Sequence, residues 1–211
     1  VLVLFCGTSK SMFAHAVPRK GVDPQGYVTE QIRQDILWLG HSQVTIRGDN
    51  EPSLVRVVES ALAALKVSGG SSACGEGSVP YDPQTNGAAE NAVKLLKGTV
   101  KTLLLGLERQ IGARVPIDHP IVGRLVSHAA HVRTMRSRGT DGKTAHQRAR
   151  GSAAGTPLVP FGEVCRYKAH AREGTITGTG QSWSVGVWMG IERRTGPVSY
   201  THLRAHETTS D

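Results

Sequence analysis

Two carboxylates stand where predicted elements of secondary structure end or begin. Asp49 closes a strand-like run at residues 43–47, and Glu90 opens a long amphipathic helical pattern after Asn86 and Gly87. Carboxylate oxygens are the ligands that Mg²⁺ and Mn²⁺ prefer in proteins. Two such cations about 4 Å apart can activate a hydroxyl nucleophile and stabilise the leaving oxygen in phosphoryl transfer. Asp49 and Glu90 therefore predict part of a divalent metal site.

Three lysines lie on the same predicted helix as Glu90. Lys94, Lys97 and Lys101 follow it by four, seven and eleven residues. At about 100° per residue, all four side chains fall within one narrow stripe of the helix. An ion pair between Glu90 and Lys94 would explain only one of the lysines. A row of lysines is suited to contacts with backbone phosphates, so the stripe predicts binding to DNA.

The segments that contain Asp49 and Glu90 resemble the integrase catalytic core of retroviruses and copia-type retrotransposons. In that family Asp-Asn is followed some tens of residues later by Asn-Gly, two residues and Glu, which here are Asp49-Asn50 and Asn86-Gly87 with Glu90. The resemblance implies an α/β, ribonuclease-H-like fold with a mixed central sheet flanked by helices. It also implies that Asp49 and Glu90 are catalytic metal ligands for Mg²⁺ or Mn²⁺.

The resemblance further implies what such a protein acts on. The family processes the 3′ ends of retroelement DNA and joins them to target DNA, and its lysines at the first two offsets of the stripe, here Lys94 and Lys97, contact DNA. We therefore expect retroelement ends and target DNA as partners, a homo-oligomer, and no membrane. The expected location is a cytoplasmic particle and then the nucleus, where integration takes place.

The family has a third carboxylate, on the opening strand of its sheet. Alignment of residues 9–15 with the second strand places Cys6 at that position, and no Asp or Glu precedes Asp23. A neutral thiol supplies neither the charge nor the hard oxygen that Mg²⁺ prefers. The two-metal site is thus predicted to be incomplete, and Cys6→Asp to restore it. Two alternatives stay open: an inactive DNA-binding or assembly module with this fold, and a ribonuclease-H-type nuclease.

The composition of the 211 residues is that of a globular protein with an excess of positive charge. Hydrophobic residues make up 38% and charged residues 20%, and the formal net charge is +8. Residues 88–150 hold twelve Lys and Arg against four Asp and Glu, which accounts for the whole imbalance. Such a concentration favours a nucleic-acid partner. No apolar run approaches the roughly 18 residues of a membrane span.

Cysteine and histidine contribute no metal cluster to the prediction. Cys6, Cys74 and Cys165 have no short spacing, which argues against a disulfide framework or a zinc site. His128 and His131 lie three apart on a helical stretch, but no second pair follows at zinc-finger spacing. We interpret both histidines as structural.

Periodicity and turn residues predict strands, one helix, another strand and then several helices. Strands are expected at residues 1–6, 12–17 and 43–47. Short β-like runs are expected further along the chain, at 163–167, 174–179 and 184–191. Helices are expected from the N-cap Asp23 to Gly40 and at 51–67, 88–109, 116–136 and 144–150. Residues 68–78 read mainly as a Gly/Ser-rich loop, with a short strand near Cys74.

The change from long helical patterns to short β-like runs after residue 151 also predicts where domains begin and end. The core-like domain is expected at residues 1–151, a small β-rich C-terminal segment at 152–197, and a non-native tail at 198–211. Because the chain begins at Val1 and not at Met, we expect it to be a fragment of a longer polyprotein, with the core truncated at its amino end.

Overall fold

The computed structural model describes residues 1–67, 72–77, 83–155, 159–168 and 183–191. These residues form mixed α and β structure, in the order β1 (Leu2–Phe5), β2 (Met12–His15), α1 (Tyr27–Leu39), β3 (Gln43–Gly48), α2 (Pro52–Val67), β4 (Ser72–Gly77), α3 (Pro83–Ile111), α4 (Pro120–Arg136), α5 (Ala145–Arg150), β5 (Val164–Lys168) and β6 (Trp183–Val187). No helix in these ranges is long and apolar enough to cross a membrane.

The first two strands form the predicted hairpin. They pair antiparallel, with Leu2 opposite His15 and Phe5 opposite Met12. The turn is closed by backbone hydrogen bonds: the Cys6 N–H donates to the carbonyl of Ser11 at 2.9 Å, and the Lys10 N–H donates to the carbonyl of Cys6 at 2.8 Å. Cys6 therefore belongs to the hairpin turn.

The next two strands are parallel, and α2 connects them. Gln43 lies opposite Ser72 and Gly48 opposite Gly77, so both strands end at the same edge. A parallel pair needs a crossover of a dozen or more residues, which α2 supplies. A Cβ atom at Gly75 would lie 3.0 Å from Cδ1 of Leu62. The small residues predicted as a loop thus form a strand that lets α2 pack closely.

Helices cover the strands from two sides. On one side, Leu2 and Leu4 of β1 and Val44 and Ile46 of β3 pack against a cluster on α1 and α2. That cluster consists of Val28, Ile32, Ile36, Val57, Ala61 and Leu65. On the other side, α3 and α4 pack on the hairpin through a cluster of Met12, Ala14, Ala92, Leu96, Val126, Ala129 and Ala130. The alternation of apolar residues along β1 places successive side chains in opposite cores.

The predicted central sheet is not continuous in the residues described. They form three separate two-stranded sheets, in which β1 is hydrogen-bonded to β2, β3 to β4, and β5 to β6. Along β3, the residues at 43, 45 and 47 are exposed whereas those at 44, 46 and 48 are partly buried. The α3 and α4 layer therefore covers the hairpin and leaves the second face of β3 open.

The starts of several helices differ from prediction. Asp23 was expected as the residue that starts α1, yet α1 begins at Tyr27, and the carboxylate of Asp23 accepts hydrogen bonds from the N–H groups of Tyr27 and Val28 at 2.9 Å each. Asp23 thus caps the helix from one turn further back. The helix ends as predicted at Gly40, which has φ 70°.

The second difference concerns Asn86 and Gly87. They were expected to form a tight turn with positive φ before a helix at 88–109, but both lie inside α3, and Gly87 is not among the glycines with positive φ. Helical hydrogen bonding across the Asn-Gly pair explains this, since either residue also tolerates the right-handed region. The predicted helix at 116–136 is confirmed from Pro120 onwards as α4, which starts four residues later than expected. The predicted α5 is confirmed, and a capping box between Thr144 and Gln147 opens it.

The C-terminal strands pair antiparallel and lie next to the two long helices. Val164 lies opposite Val187, and the flanking Phe161 and Met189 are buried against α3 and α4. The cluster there comprises Leu107, Ile121, Val122, Leu125, Phe161 and Met189. The predicted runs at 163–167 and 184–191 are therefore confirmed in part, whereas the run at 174–179 and the tail at 198–211 lie outside the described residues.

Candidate nucleic-acid and metal site

Asp49 follows the carboxyl end of β3 directly. Its side chain is exposed, and Oδ1 accepts a hydrogen bond from the N–H of Asn50 at 2.8 Å. The neighbouring Glu51 has another role, because its carboxylate lies 2.6 Å from Nζ of Lys20 and accepts a hydrogen bond from Ser53. These contacts lower the pKa of Glu51, with the hydrogen bond to Lys20 as the largest cause. Asp49 is thus the carboxylate presented to solvent at this strand end.

Glu90 lies in the second turn of α3, with the three lysines following it on the helix. The side chains of Glu90, Lys94, Lys97 and Lys101 are all exposed. The opposite side of α3 is buried, and its core residues are Ala92, Leu96 and Leu107. The predicted lysine stripe (Lys94, Lys97 and Lys101) is therefore a solvent-facing surface on a helix whose other side is held in the core.

The chain path relates Asp49 to α3 without placing Asp49 and Glu90 in contact. Because β3 and β4 are parallel and in register, Gly77 ends β4 beside Gly48, next to Asp49. Pro83 begins α3 six positions later, within about 20 Å of Gly77 for an extended chain. Glu90 is seven residues into the helix, about 10 Å from its start. The amino end of α3 is therefore at most about 20 Å from Gly77 at the strand edge that carries Asp49.

Cys6 lies at a different place from Asp49. Its Sγ atom is 3.5 Å from Nε2 of His41 and accepts a hydrogen bond from the N–H of Ser9 at 3.4 Å. His41 precedes β3, whereas Asp49 follows it, and the six residues of β3 span about 17 Å. Ligands of one cation lie within a few ångströms of one another. Cys6 therefore lies at the opposite end of β3 from Asp49, and its expected clustering with Glu90 stays a prediction.

The cause of this misplacement is the position of the hairpin in the sheet. The alignment treated β1 as the opening strand, which in the resembled family lies where it can bring a carboxylate to the Asp49 edge. Among the described strands β1 is hydrogen-bonded only to β2, and its carboxyl end, with Cys6, is at the amino end of β3. β1 and β3 thus run in opposite directions, so the carboxyl end of β1 lies away from the edge at which β3 ends and Asp49 follows.

The described residues do not by themselves fit a two-metal centre. Among them no group of three or more His, Cys, Asp or Glu side chains is arranged to hold a metal ion. Asp49 and Glu90 each supply hard oxygens of the right type for Mg²⁺ or Mn²⁺, but two exposed carboxylates are only part of the ligand set that phosphoryl transfer needs. No catalytic step through a metal is derived from this arrangement.

Part of the positive charge of residues 88–150 is engaged within the protein. Arg114 lies 3.0 Å from the carboxylate of Glu108, and the guanidinium of Arg150 stacks 4.9 Å from the ring centre of Trp38. Arg148 forms an ion pair with Asp141, which holds the pKa of that carboxyl well below its usual range. Counting Lys and Arg in the sequence could not distinguish these paired cations from the exposed lysines of α3.

The two histidines of α4 are buried and stack on each other. The rings of His128 and His131 stack with their centres 6.4 Å apart, and His128 also lies 5.2 Å from the ring of Phe161. Burial, and secondarily the charge of Arg124, lowers the pKa of His128 to about 4. His128 is therefore neutral at physiological pH and packs the helix against the C-terminal strands.

Comparisons with known proteins gave structural matches only. Neither the protein-family models nor the curated protein sequences matched the chain. The chain is similar to the catalytic core domain of BIV integrase, with 20% identity and a TM-score of 0.45 over 70% of this chain and 82% of that one. It is also similar to a chain of the simian T-cell lymphotropic virus intasome in complex with the PP2A regulatory subunit B56 gamma, with 19% identity and a TM-score of 0.48 over 88% and 60%.

Proposed function

We propose that this chain is an integrase-like core that binds double-stranded DNA through the lysine stripe of α3. The observation that carries the proposal is the exposure of Lys94, Lys97 and Lys101 on one face of a helix whose other face is buried. Because its buried face fixes the position of the helix, the three lysines form a row at a fixed place on the protein surface. Rows of cations recognise regularly spaced phosphates and carry little sequence information.

The length and spacing of the stripe fit a phosphate backbone. Lys94 and Lys101 are seven residues apart, which is about 10 Å along the helix axis. Phosphates of one DNA strand follow one another at about 3.4 Å along the duplex axis, so the stripe can reach two or three of them. The long lysine side chains provide the freedom to adapt to the curvature of the groove.

The salt dependence of duplex binding tests the proposal. Replacement of the three lysines by Ala is expected to reduce the slope of log K against log salt by up to about three units, because fewer counterions are released. The matched control removes the same charge elsewhere, by Arg56→Ala, Lys66→Ala and Lys143→Ala, three positions exposed on α2 and in the loop before α5. An equal loss of slope in both variants would show that binding follows net charge and not the stripe.

DNA joining in the nucleus, on retroelement ends and target DNA, is the activity that the sequence resemblance supports. Within it, Asp49 and Glu90 are the proposed catalytic carboxylates and the proposed ligands of Mg²⁺ or Mn²⁺. Their hard oxygens support this assignment, as does the order of the chain, in which β4 ends beside β3 and is followed by the helix that carries Glu90. Calorimetric titration of Mg²⁺ and Mn²⁺ into the protein and into Asp49→Asn and Glu90→Gln variants tests it. Metal binding that both variants retain in full would contradict the assignment.

A non-catalytic DNA-binding or assembly module is the second candidate. The observation in its favour is the distance between Cys6 and the Asp49 edge, which leaves that edge without a third ligand among the described residues. The two candidates share the lysine stripe and differ in chemistry. Strand joining of a labelled donor duplex in Mg²⁺ or Mn²⁺ that disappears in the Asp49→Asn variant would favour the integrase, and DNA binding without joining would favour the module.

A further inference from the structure

A small pocket lies where the carboxyl end of α4, the loop after it and α5 meet. Its volume is about 120 Å³, which is roughly that of four water molecules at about 30 Å³ each. Two alanines and Met135 form its apolar wall, and no aspartate or glutamate is among the lining residues. The polar lining residues are Arg136, Arg138, Thr144 and Gln147. The pocket is therefore positively charged and large enough for a small anionic group.

The polar hydrogens of Thr144 and Gln147 are left over in this pocket. Oγ1 of Thr144 accepts from the N–H of Gln147 at 3.1 Å, and Oε1 of Gln147 accepts from the N–H of Thr144 at 2.8 Å, so the capping box engages both side-chain oxygens. Among the described residues, neither the Thr144 hydroxyl nor Nε2 of Gln147 donates a hydrogen bond. Thr144 is only 8% exposed. A buried donor without an acceptor is costly, so the pocket favours a ligand that accepts hydrogen bonds.

Arg138 brings a guanidinium to the pocket that is not engaged elsewhere. Its backbone pairs with that of Thr144 in an antiparallel bridge, and in such a pair the two side chains stand on the same side with their Cβ atoms about 5 Å apart. Within the part of the chain that the structure describes, the Arg138 side chain forms no ion pair and no hydrogen bond. The acid of this loop, Asp141, forms its ion pair with Arg148 instead. Arg138 can therefore bind an anion without losing an internal partner.

The loop that carries Arg138 is held in place from within the protein. The Gly139 N–H donates to the carbonyl of Lys143 at 3.0 Å, which closes the turn. The guanidinium of Arg148 donates to the same carbonyl at 3.1 Å and to the carbonyl of Ser9, in the turn of the first hairpin, at 3.3 Å. The pocket is thus formed before a ligand binds, and a ligand does not have to order the loop.

We propose that this pocket binds a phosphate group, which the guanidinium of Arg138 holds with Arg136, Thr144 and Gln147 around it. The pocket offers hydrogen-bond donors and positive charge, and a phosphate group supplies three or more acceptor oxygens and up to two negative charges. A carboxylate has only two oxygens for the same four donor residues. Two sources have this chemistry, the free phosphate ion and the terminal phosphate of a DNA strand. Only the second source rests on the proposed DNA binding.

Gln147→Glu tests the pocket without removing the cap of α5. Glutamate is the usual partner of threonine in a capping box, so it keeps the bond to the Thr144 N–H. It also removes the Nε2 donor and places a negative charge in the pocket. We expect the NMR signal of the Arg138 Nε–H to shift saturably as inorganic phosphate is added at constant ionic strength. The variant should lose this binding while its thermal stability without phosphate stays at least equal.

Arg138→Ala should weaken the binding of inorganic phosphate about tenfold, as expected for the loss of one charge-assisted hydrogen bond. The Gln147 side-chain amide is the NMR signal that reports on this variant. The matched control is Lys143→Ala, which removes an exposed cation of the same loop that does not line the pocket, and it should bind phosphate as the unmodified chain does. Shifts that do not saturate, binding retained by Gln147→Glu, or equal losses in Arg138→Ala and Lys143→Ala would overturn the proposal.

Duplexes with and without a 5′ phosphate identify the source of the phosphate group. Tighter binding of the phosphorylated duplex that Gln147→Glu abolishes would assign the pocket to DNA ends. Equal binding of the two duplexes, together with saturable binding of inorganic phosphate, would assign it to the free ion. Replacement of the three lysines of the stripe changes the affinity for both duplexes alike and leaves the binding of inorganic phosphate intact. Failure of the lysine stripe is therefore distinguishable from failure of the pocket.

Discussion

The hydroxyl of Thr134 makes two hydrogen bonds to the backbone of Met12. It accepts from the Met12 N–H at 2.9 Å and donates to the Met12 carbonyl at 2.8 Å. Thr134 is fully buried, and Met12 begins β2. One side chain of α4 therefore satisfies the backbone groups at the edge of the hairpin that a neighbouring strand would otherwise bind. Ser127 of α4 adds a second bond of this kind, to the carbonyl of Ala14 at 2.8 Å.

Thr134→Val is expected to destabilise the protein although the side-chain volume hardly changes. The substitution leaves the N–H and the carbonyl of Met12 buried without partners, at a cost of about 2–5 kcal/mol in the free energy of unfolding. Thr134→Ser keeps the hydroxyl and should cost clearly less. Urea denaturation of the two variants measures the difference, and equal stability of both would mean that the hydrogen bonds contribute nothing.

Stability should fall as the pH drops from about 6.5 to 4, because of His128. Burial lowers the pKa of His128 from 6.5 to about 4, so in this window the unfolded chain binds a proton that the folded protein does not. The unfolded state is thereby favoured by up to about 3 kcal/mol at pH 4, and the effect levels off below that. Arg124 is the neighbouring charged group that contributes to this lowered pKa, and the ring of His131 stacks on that of His128.

His128→Phe tests the origin of that pH dependence. Phenylalanine fits the aromatic surroundings, since His128 already lies 5.2 Å from the ring of Phe161. The variant is expected to lose less stability than the wild type between pH 6.5 and 4, as measured by urea denaturation at several pH values. Identical pH profiles would assign the effect to other groups.

Gly162 is expected to be the less replaceable of two glycines that both have positive φ. A Cβ atom at Gly162, with φ 88°, would lie 2.4 Å from Cδ1 of Leu107, whereas a Cβ atom at Gly151, with φ 76°, would meet nothing within 4 Å. Both changes to Ala carry the left-handed backbone cost of about 1–2 kcal/mol. Gly162→Ala adds an overpacking cost of about 1–3 kcal/mol, which thermal denaturation of the pair should reveal. Equal destabilisation would argue against tight packing of this segment on α3.

Cys6→Asp is expected to leave the binding of Mg²⁺ and Mn²⁺ unchanged. The thiol contacts His41 before β3, and a carboxylate in its place would lie the length of that strand away from Asp49. Calorimetric titration of the variant beside the unmodified protein measures this directly. A gain in metal affinity that also depends on Asp49 would show that the hairpin does reach the Asp49 edge.

Local signals in the sequence determined most of the elements. Gly40 ends α1 because it adopts positive φ at low cost, and Pro120 opens α4 because the first helical turn needs no N–H there. The lysine stripe also followed from sequence, since a helix of known repeat fixes which side chains share a face. Such features depend on residues within a few positions of one another.

Tertiary structure decided what lies near what. The sequence could not show that Cys6 contacts His41, that Arg148 forms an ion pair with Asp141, or that residues 72–77 form a strand beside β3. Each of these depends on packing between segments far apart in the chain, such as the approach of α2 to Gly75. Spacing predicts the face of an element on which a side chain lies, but the order and direction of the strands decide which faces and ends meet.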